Sequence, residues 1–242
     1  MNGLSKTWSP EQISGRMKKK LKISISHKTI YQYIWQDKLC GGEIYKKLTH
    51  RGKRYKYGNS DKVKIPNRVD ISKRPKIVER KARIGDFEGD TIVRVRGGSK
   101  NCLLTLIDRK SKFSLIKRTL DKSAKSIQIA MENIYDGTTV PFKTITYDNG
   151  TEFSYHEAIA ESIGCEIFFA RPYKSCDRDL NEHTNGLIRR FFPKKTDFSK
   201  VTDRQIEEVQ TLLNDRPRKS LGYLTPNEVM NKYLHRIYAN RH

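Results

Sequence analysis

From about Ile84 onward the apolar residues stop recurring at helical intervals and begin to alternate, and this change of period limits the fold more than any other feature of the chain. Asp86, Glu88, Asp90 and Ile92 alternate with Phe87, Gly89, Thr91 and Val93, and Cys102 to Ile107 and Phe113 to Ile116 are two further short apolar runs. Three strands joined by short turns are predicted there. The spacing of Ile127, Ala130, Met131 and Ile134 predicts a helix over residues 123–135, and Thr144 to Tyr147 reads as a strand ending at Asp148-Asn149-Gly150. Residues 153–163 read as a helix, Glu166 to Phe169 as a fifth strand, residues 180–192 as a helix stopped by Pro193, and residues 203–213 as a final helix.

The first forty residues have a different grammar. Ser9-Pro10-Glu11-Gln12 offers an N-cap, a proline in the first turn and the glutamine of a capping box, after which Ile13 and Met17 follow at helical spacing. Ser26 caps a second helix with Ile30, Tyr33 and Ile34 on one face and His27, Lys28, Tyr31 and Gln32 mostly off it. This is the outline of a helix-turn-helix, whose second helix would present His27, Lys28, Thr29, Tyr31 and Gln32 to a DNA groove; a helical hairpin that only packs on a neighbour has the same spacing. A stretch rich in Lys, Arg, Gly, Asn and Pro follows, as a linker or extended arm. The expected organisation is a helix-turn-helix segment over 1–45, a basic linker over 46–80 and a catalytic core with C-terminal helices over 81–235. The order of three strands, helix, strand, helix, strand, helix is that of a ribonuclease H-like α/β fold, with a mixed five-stranded sheet flanked by helices.

With 49 Lys and Arg against 27 acidic residues the formal net charge is +22, so a polyanion is the expected partner, and nucleic acid the first candidate. No run of about 18 apolar residues is present and the N-terminus lacks a signal-peptide core, so the expectation is a cytoplasmic protein with no membrane partner. Cys40, Cys102, Cys165 and Cys176 are too scattered for a zinc finger or a disulfide framework.

The chemistry rests on carboxylates. Asp86, Glu88 and Asp90 share one face of a strand, which either meets solvent or faces a cation, and spacing does not say which acid would be the ligand. Asp148 stands just past the fourth strand, where an ordinary turn aspartate would also stand, and Glu182 opens a helix, where the helix dipole favours a carboxylate in any case.

Together, GDFEGDTI (85–92), TYDNGTEF (146–153) and NEHTNGLIRRFFPKKTDFS (181–199) resemble the three catalytic blocks of transposases of the insertion-sequence thirty family, within the DDE superfamily of transposases and integrases. WSPEQI, CGGEIYKKL, RGKRYKYG, IPNRVDISKRP and LNDRPRKSLGYLTPNEVM are similar too, so the resemblance runs from about Trp8 to Met230. It implies Asp90, Asp148 and Glu182 as catalytic residues and ligands of two Mg²⁺ ions, with Mn²⁺ as an accepted substitute. It implies metal-dependent cleavage and transfer of DNA strands, with double-stranded element ends and target DNA as partners and a homo-oligomer assembled on them in the bacterial nucleoid. Lys174, Arg178, Asn181, Asn185 and Arg189, next to the third acid, are candidates for holding the DNA backbone; a solvated basic helix face is the other reading.

Three departures qualify the expectation. Asp179 stands where the family usually has glycine, and Phe87 where a tryptophan is common. Complete members carry a further N-terminal DNA-binding region, so the alternative is a truncated remnant that binds DNA without efficient catalysis. A nuclease of RNA–DNA hybrids would share the carboxylates but not the helix-turn-helix or the tail blocks.

Overall fold

The computed structural model describes residues 2–48, 65–94, 99–171 and 179–239. In chain order the helices and strands are α1 (Asn2–Ser5), α2 (Pro10–Leu21), α3 (His27–Leu39), α4 (Lys76–Glu79), β1 (Asp86–Val93), β2 (Cys102–Asp108), β3 (Ser114–Thr119), α5 (Ala124–Asp136), β4 (Thr144–Tyr147), α6 (His156–Ile163), β5 (Glu166–Phe169), α7 (Asp179–Ile188), α8 (Asp203–Asn214) and α9 (Pro226–Ala239). They form two compact units, one of residues 1–60 with 214–242, the other of residues 61–213.

In the first unit, α2 and α3 form where their caps predict. The Gln12 N–H donates to Ser9 Oγ and the Ser9 N–H donates back to Gln12 Oε1 at 2.9 Å, while the Thr29 N–H donates to Ser26 Oγ at 3.1 Å. Each cap satisfies amides that a helix start leaves without partners. The predicted apolar face of α3 is narrower than its spacing suggests: Ile34 is fully buried, but Tyr33 is 53% exposed. Adjacent helical residues point about 100° apart, so a strip centred on Ile34 leaves Tyr33 on its flank.

The tail from residue 214 groups with these helices, whereas the sequence reading assigned residues up to 235 to the core. Polar contacts explain the grouping. The Arg16 guanidinium forks onto both Glu228 oxygens at 2.7 and 2.8 Å and reaches the Tyr223 carbonyl at 3.1 Å, and Arg216 donates to Thr7 Oγ1. Such partners, far apart in sequence, leave no periodic signal.

The second unit is built on a five-stranded sheet of order β3-β2-β1-β4-β5, with β1–β2 and β2–β3 antiparallel and β1–β4 and β4–β5 parallel. This is the mixed sheet predicted. Even-numbered β1 residues face α7 and α8, where Ile92, Leu103, Ile116, Leu187, Ile188, Phe192, Ile206, Val209 and Leu213 form an apolar cluster. On the opposite face Phe87 stacks on Phe142 with ring centroids 4.6 Å apart, and Tyr147 stacks on Phe153 at 4.0 Å.

Part of the expected linker belongs to this unit. Ile71 and Val78 are buried, the Phe169 N–H of β5 donates to the Val69 carbonyl at 2.8 Å, and buried Arg74 donates to Thr146 Oγ1 at 3.0 Å. Three spaced apolar residues, Ile65, Ile71 and Val78, together with these hydrogen bonds anchor residues 65–80; residues 49–64 lie outside the described residues.

Candidate active site

The acidic face of β1 is not a solvated one. Asp86 and Glu88 are 0% and 2% exposed. A charge so far from water needs a partner, and each acid has one. The Arg83 guanidinium donates to both Asp86 oxygens at 3.0–3.1 Å and the Thr144 hydroxyl adds a bond at 2.9 Å. Glu88 Oε1 accepts from Arg109 Nη1 at 2.9 Å, both side chains being buried. Burial pushes the Glu88 carboxyl up from its ordinary value, against the pull of Arg109 and of the Asn181 N–H, which also binds it.

At the end of the row, Asp90 is half-buried. Its Oδ2 accepts from Asn185 Nδ2 at 2.8 Å, its Oδ1 accepts the Thr91 N–H at 2.8 Å, and Thr105 Oγ1 donates to its carbonyl at 3.2 Å. Glu88 receiving the Asn181 amide and Asp90 receiving the Asn185 side chain, one helical turn later, dock α7 along β1.

The second acid stands just past the end of the neighbouring parallel strand. β1 and β4 run parallel with Asp86 opposite Thr144 and Glu88 opposite Thr146. Glu88–Thr146 is the last pair of that register, and Asp90 and Asp148 each lie two residues beyond it, Asp148 just past the end of β4. Asp148 is half-buried, and its Oδ1 accepts the Gly150 N–H at 3.0 Å, which closes the turn.

Glu182 is exposed on α7, one turn before Asn185. Among the described residues no three His, Cys, Asp or Glu side chains come close enough together to hold a metal ion. Asp90 stands on β1 and Asp148 just past the end of the adjacent parallel strand β4, and Glu182 is carried by the helix whose Asn185 binds Asp90. All three are carboxylates, the hard oxygen donors that divalent cations such as Mg²⁺ take.

Of the residues expected to hold DNA, Asn181 is wholly buried, so its side chain cannot meet a phosphate. Asn185 binds Asp90, and Arg189 donates to the Val93 carbonyl. Lys174 and Arg178 lie outside the described residues, as does the side chain of Asp179. On α3, His27, Lys28, Thr29, Tyr31 and Gln32 are all exposed. The sequence reading missed Arg109 and Arg74, which answer buried polar groups from outside the strand pattern, and Glu152, although Glu152 lies inside the second block.

A mixed five-stranded sheet of this order flanked by helices defines a ribonuclease H-like fold. Among solved structures the chain resembles the catalytic core domain of BIV integrase, with a TM-score of 0.50 and 16% identity over 64% of this chain and 99% of that domain. No protein-family model matches the chain. It is 46% identical over 230 residues to the transposase for insertion sequence element IS4351 of Bacteroides fragilis, which covers 93% of this chain and 69% of that protein. It is also 33% identical over 243 residues to transposase InsI for insertion sequence element IS30A of Escherichia coli (strain K12), covering 95% of this chain and 62% of that protein. The chain belongs to the IS30 family of insertion-sequence transposases.

Proposed function

We propose that the chain cuts DNA at the ends of an insertion sequence and joins the freed ends to a target. The fold, with Asp90 on β1 and Asp148 just past the end of the adjacent parallel strand β4, supports this reading. Asp90 and Asp148, with Glu182 completing the set, would hold two Mg²⁺ ions, or Mn²⁺ in their place. Bound there, the ions would activate the attacking oxygen and neutralise the leaving one.

The protein's own groups supply position and charge. Asn185 orients the Asp90 carboxylate, and Gly150 that of Asp148. In the first step a water oxygen forms a bond to phosphorus as the P–O3′ bond breaks, and the departing oxygen takes a proton to become a 3′-hydroxyl. In the second the oxygen of that hydroxyl, its proton passing to water, bonds to a target phosphorus in line as the target P–O3′ bond breaks, and the departing oxygen takes a proton to become a new 3′-hydroxyl.

The exposed residues at the start of α3 would enter a DNA groove, and the net charge of +22 would track phosphates, so binding should weaken steeply with salt. The protein would work as a homo-oligomer on DNA. No helix among the described residues is long and apolar enough to cross a membrane; a cytoplasmic, nucleoid-associated protein is the corresponding reading.

The test is cleavage of duplex oligonucleotides carrying element ends, with and without Mg²⁺. Cleavage should require the ion and vanish in Asp148→Asn. Metal-independent cutting, or cutting that survives that change, refutes the proposal, and tight binding without turnover would leave a DNA-binding product in its place.

A further inference from the structure

Glu152 is buried at 3% exposure, one turn beyond Asp148. Its Oε1 takes two donors from separate parts of the fold: the Thr91 hydroxyl of β1 at 2.8 Å and the Lys122 ammonium, ahead of α5, at 2.9 Å. Its Oε2 is buried with no hydrogen-bond partner among the described residues. That oxygen lies against the backbone of the turn: a Cβ added at Gly150 would stand 2.3 Å from it.

Both neighbours of this carboxylate lead to an acid. The Thr91 N–H donates to Asp90 Oδ1 at 2.8 Å, and the Gly150 N–H donates to Asp148 Oδ1 at 3.0 Å. Glu152 therefore joins, through two short links, the backbone that orients Asp90 to the backbone that orients Asp148. Lys122 closes the arrangement. Burial works to lower its ammonium, but the bond to Glu152 and the fields of Glu152 and Asp148 overcome that and raise it.

We infer that Glu152 is a positioning residue: its buried carboxylate, held by Thr91 and Lys122 and pressed on Gly150, sets the separation of Asp90 and Asp148. It touches neither DNA nor metal in this role. A carboxylate oxygen buried without a hydrogen-bond partner is costly, and a surface ion pair would not incur that cost. The inference rests on the proposed function for its consequence, but its geometry can be tested without it.

The variants are Glu152→Gln, which removes the charge, and Thr91→Val, which removes the hydroxyl and keeps the β-branched shape; Thr91→Ser restores the hydroxyl. Amide hydrogen exchange, read without metal or DNA, should speed up at Thr91 and Gly150 by roughly tenfold or more in the first two variants, and return towards wild type in Thr91→Ser. Mn²⁺ titration followed by electron paramagnetic resonance should show affinity weakened by roughly 10- to 100-fold, as for other groups that orient metal ligands. The Mn²⁺ concentration for half-maximal cleavage should move in parallel.

Unchanged exchange at both amides in both variants overturns the inference, whatever the activity. So does an unchanged Mn²⁺ affinity where wild type binds the ion. A wild type that neither binds Mn²⁺ nor cleaves, with exchange accelerated in the variants, would sink the proposed function and leave the positioning role standing.

Discussion

A methyl group at Gly89 has no room. Gly89 lies between Glu88 and Asp90 on β1, and a Cβ there would stand 2.3 and 2.6 Å from two carbons of the Tyr147 ring and 3.2 Å from Leu106 Cδ2. The ring would have to retreat by about 1 Å to restore ordinary van der Waals contact. It has nowhere to retreat, because Tyr147 is fully buried, is stacked on Phe153 at 4.0 Å and meets Phe169 at 6.4 Å. Overpacking of this kind costs about 1–3 kcal/mol, and the rigidity of the stack puts Gly89→Ala at the upper end. Urea unfolding followed by near-ultraviolet circular dichroism should register that loss. Because Tyr147 directly precedes Asp148, cleavage should fall by more than the loss of folded protein explains. Adding Tyr147→Leu, which clears the ring, should cancel most of the cost of the alanine, with a coupling of at least about 1 kcal/mol. A single variant within about 0.5 kcal/mol of wild type, or two changes that simply add, would refute the account of a sheet packed hard beneath its acids.

Two further outcomes follow from buried and half-buried ion pairs. Arg109→Leu strips the cation from Glu88 and should cost about 3–5 kcal/mol, most of it recovered in the double variant with Glu88→Leu. The Glu88 carboxyl already sits above its ordinary value because of burial. A carboxyl raised on folding stabilises below its unfolded pKa and loses that contribution as pH rises through its folded one. Arg109→Leu should therefore regain stability as pH is lowered, and urea midpoints that are flat or fall towards acid would contradict this. In the first unit, the bond from Arg16 brings Glu228 down to about 2. A lowered carboxyl contributes above its unfolded pKa and loses that contribution as pH falls towards the folded one. Glu228→Gln should therefore cost about 1 kcal/mol at neutral pH after solvent screening, and nothing near pH 2. A cost that persists in acid would argue against the ion pair.

The strands, most helix boundaries and the caps are legible from the residues alone, because these depend on residues within a few positions of one another: Ser9 with Gln12, Ser26 with Thr29, and the alternation from Asp86 to Ile92. It also marked Asp90 and Asp148, through blocks that resemble a family. The partners of the acidic face of β1 emerge from the fold alone. Asp86 and Glu88 are held by Arg83 and Arg109, whereas Asp90 accepts from Asn185 of α7 and Asp148 from the Gly150 N–H. Partners such as Arg109, Asn185 and Glu152 were hidden for one physical reason. A buried charge is stabilised by whichever group the fold brings within about 3 Å, and that group can come from anywhere in the chain.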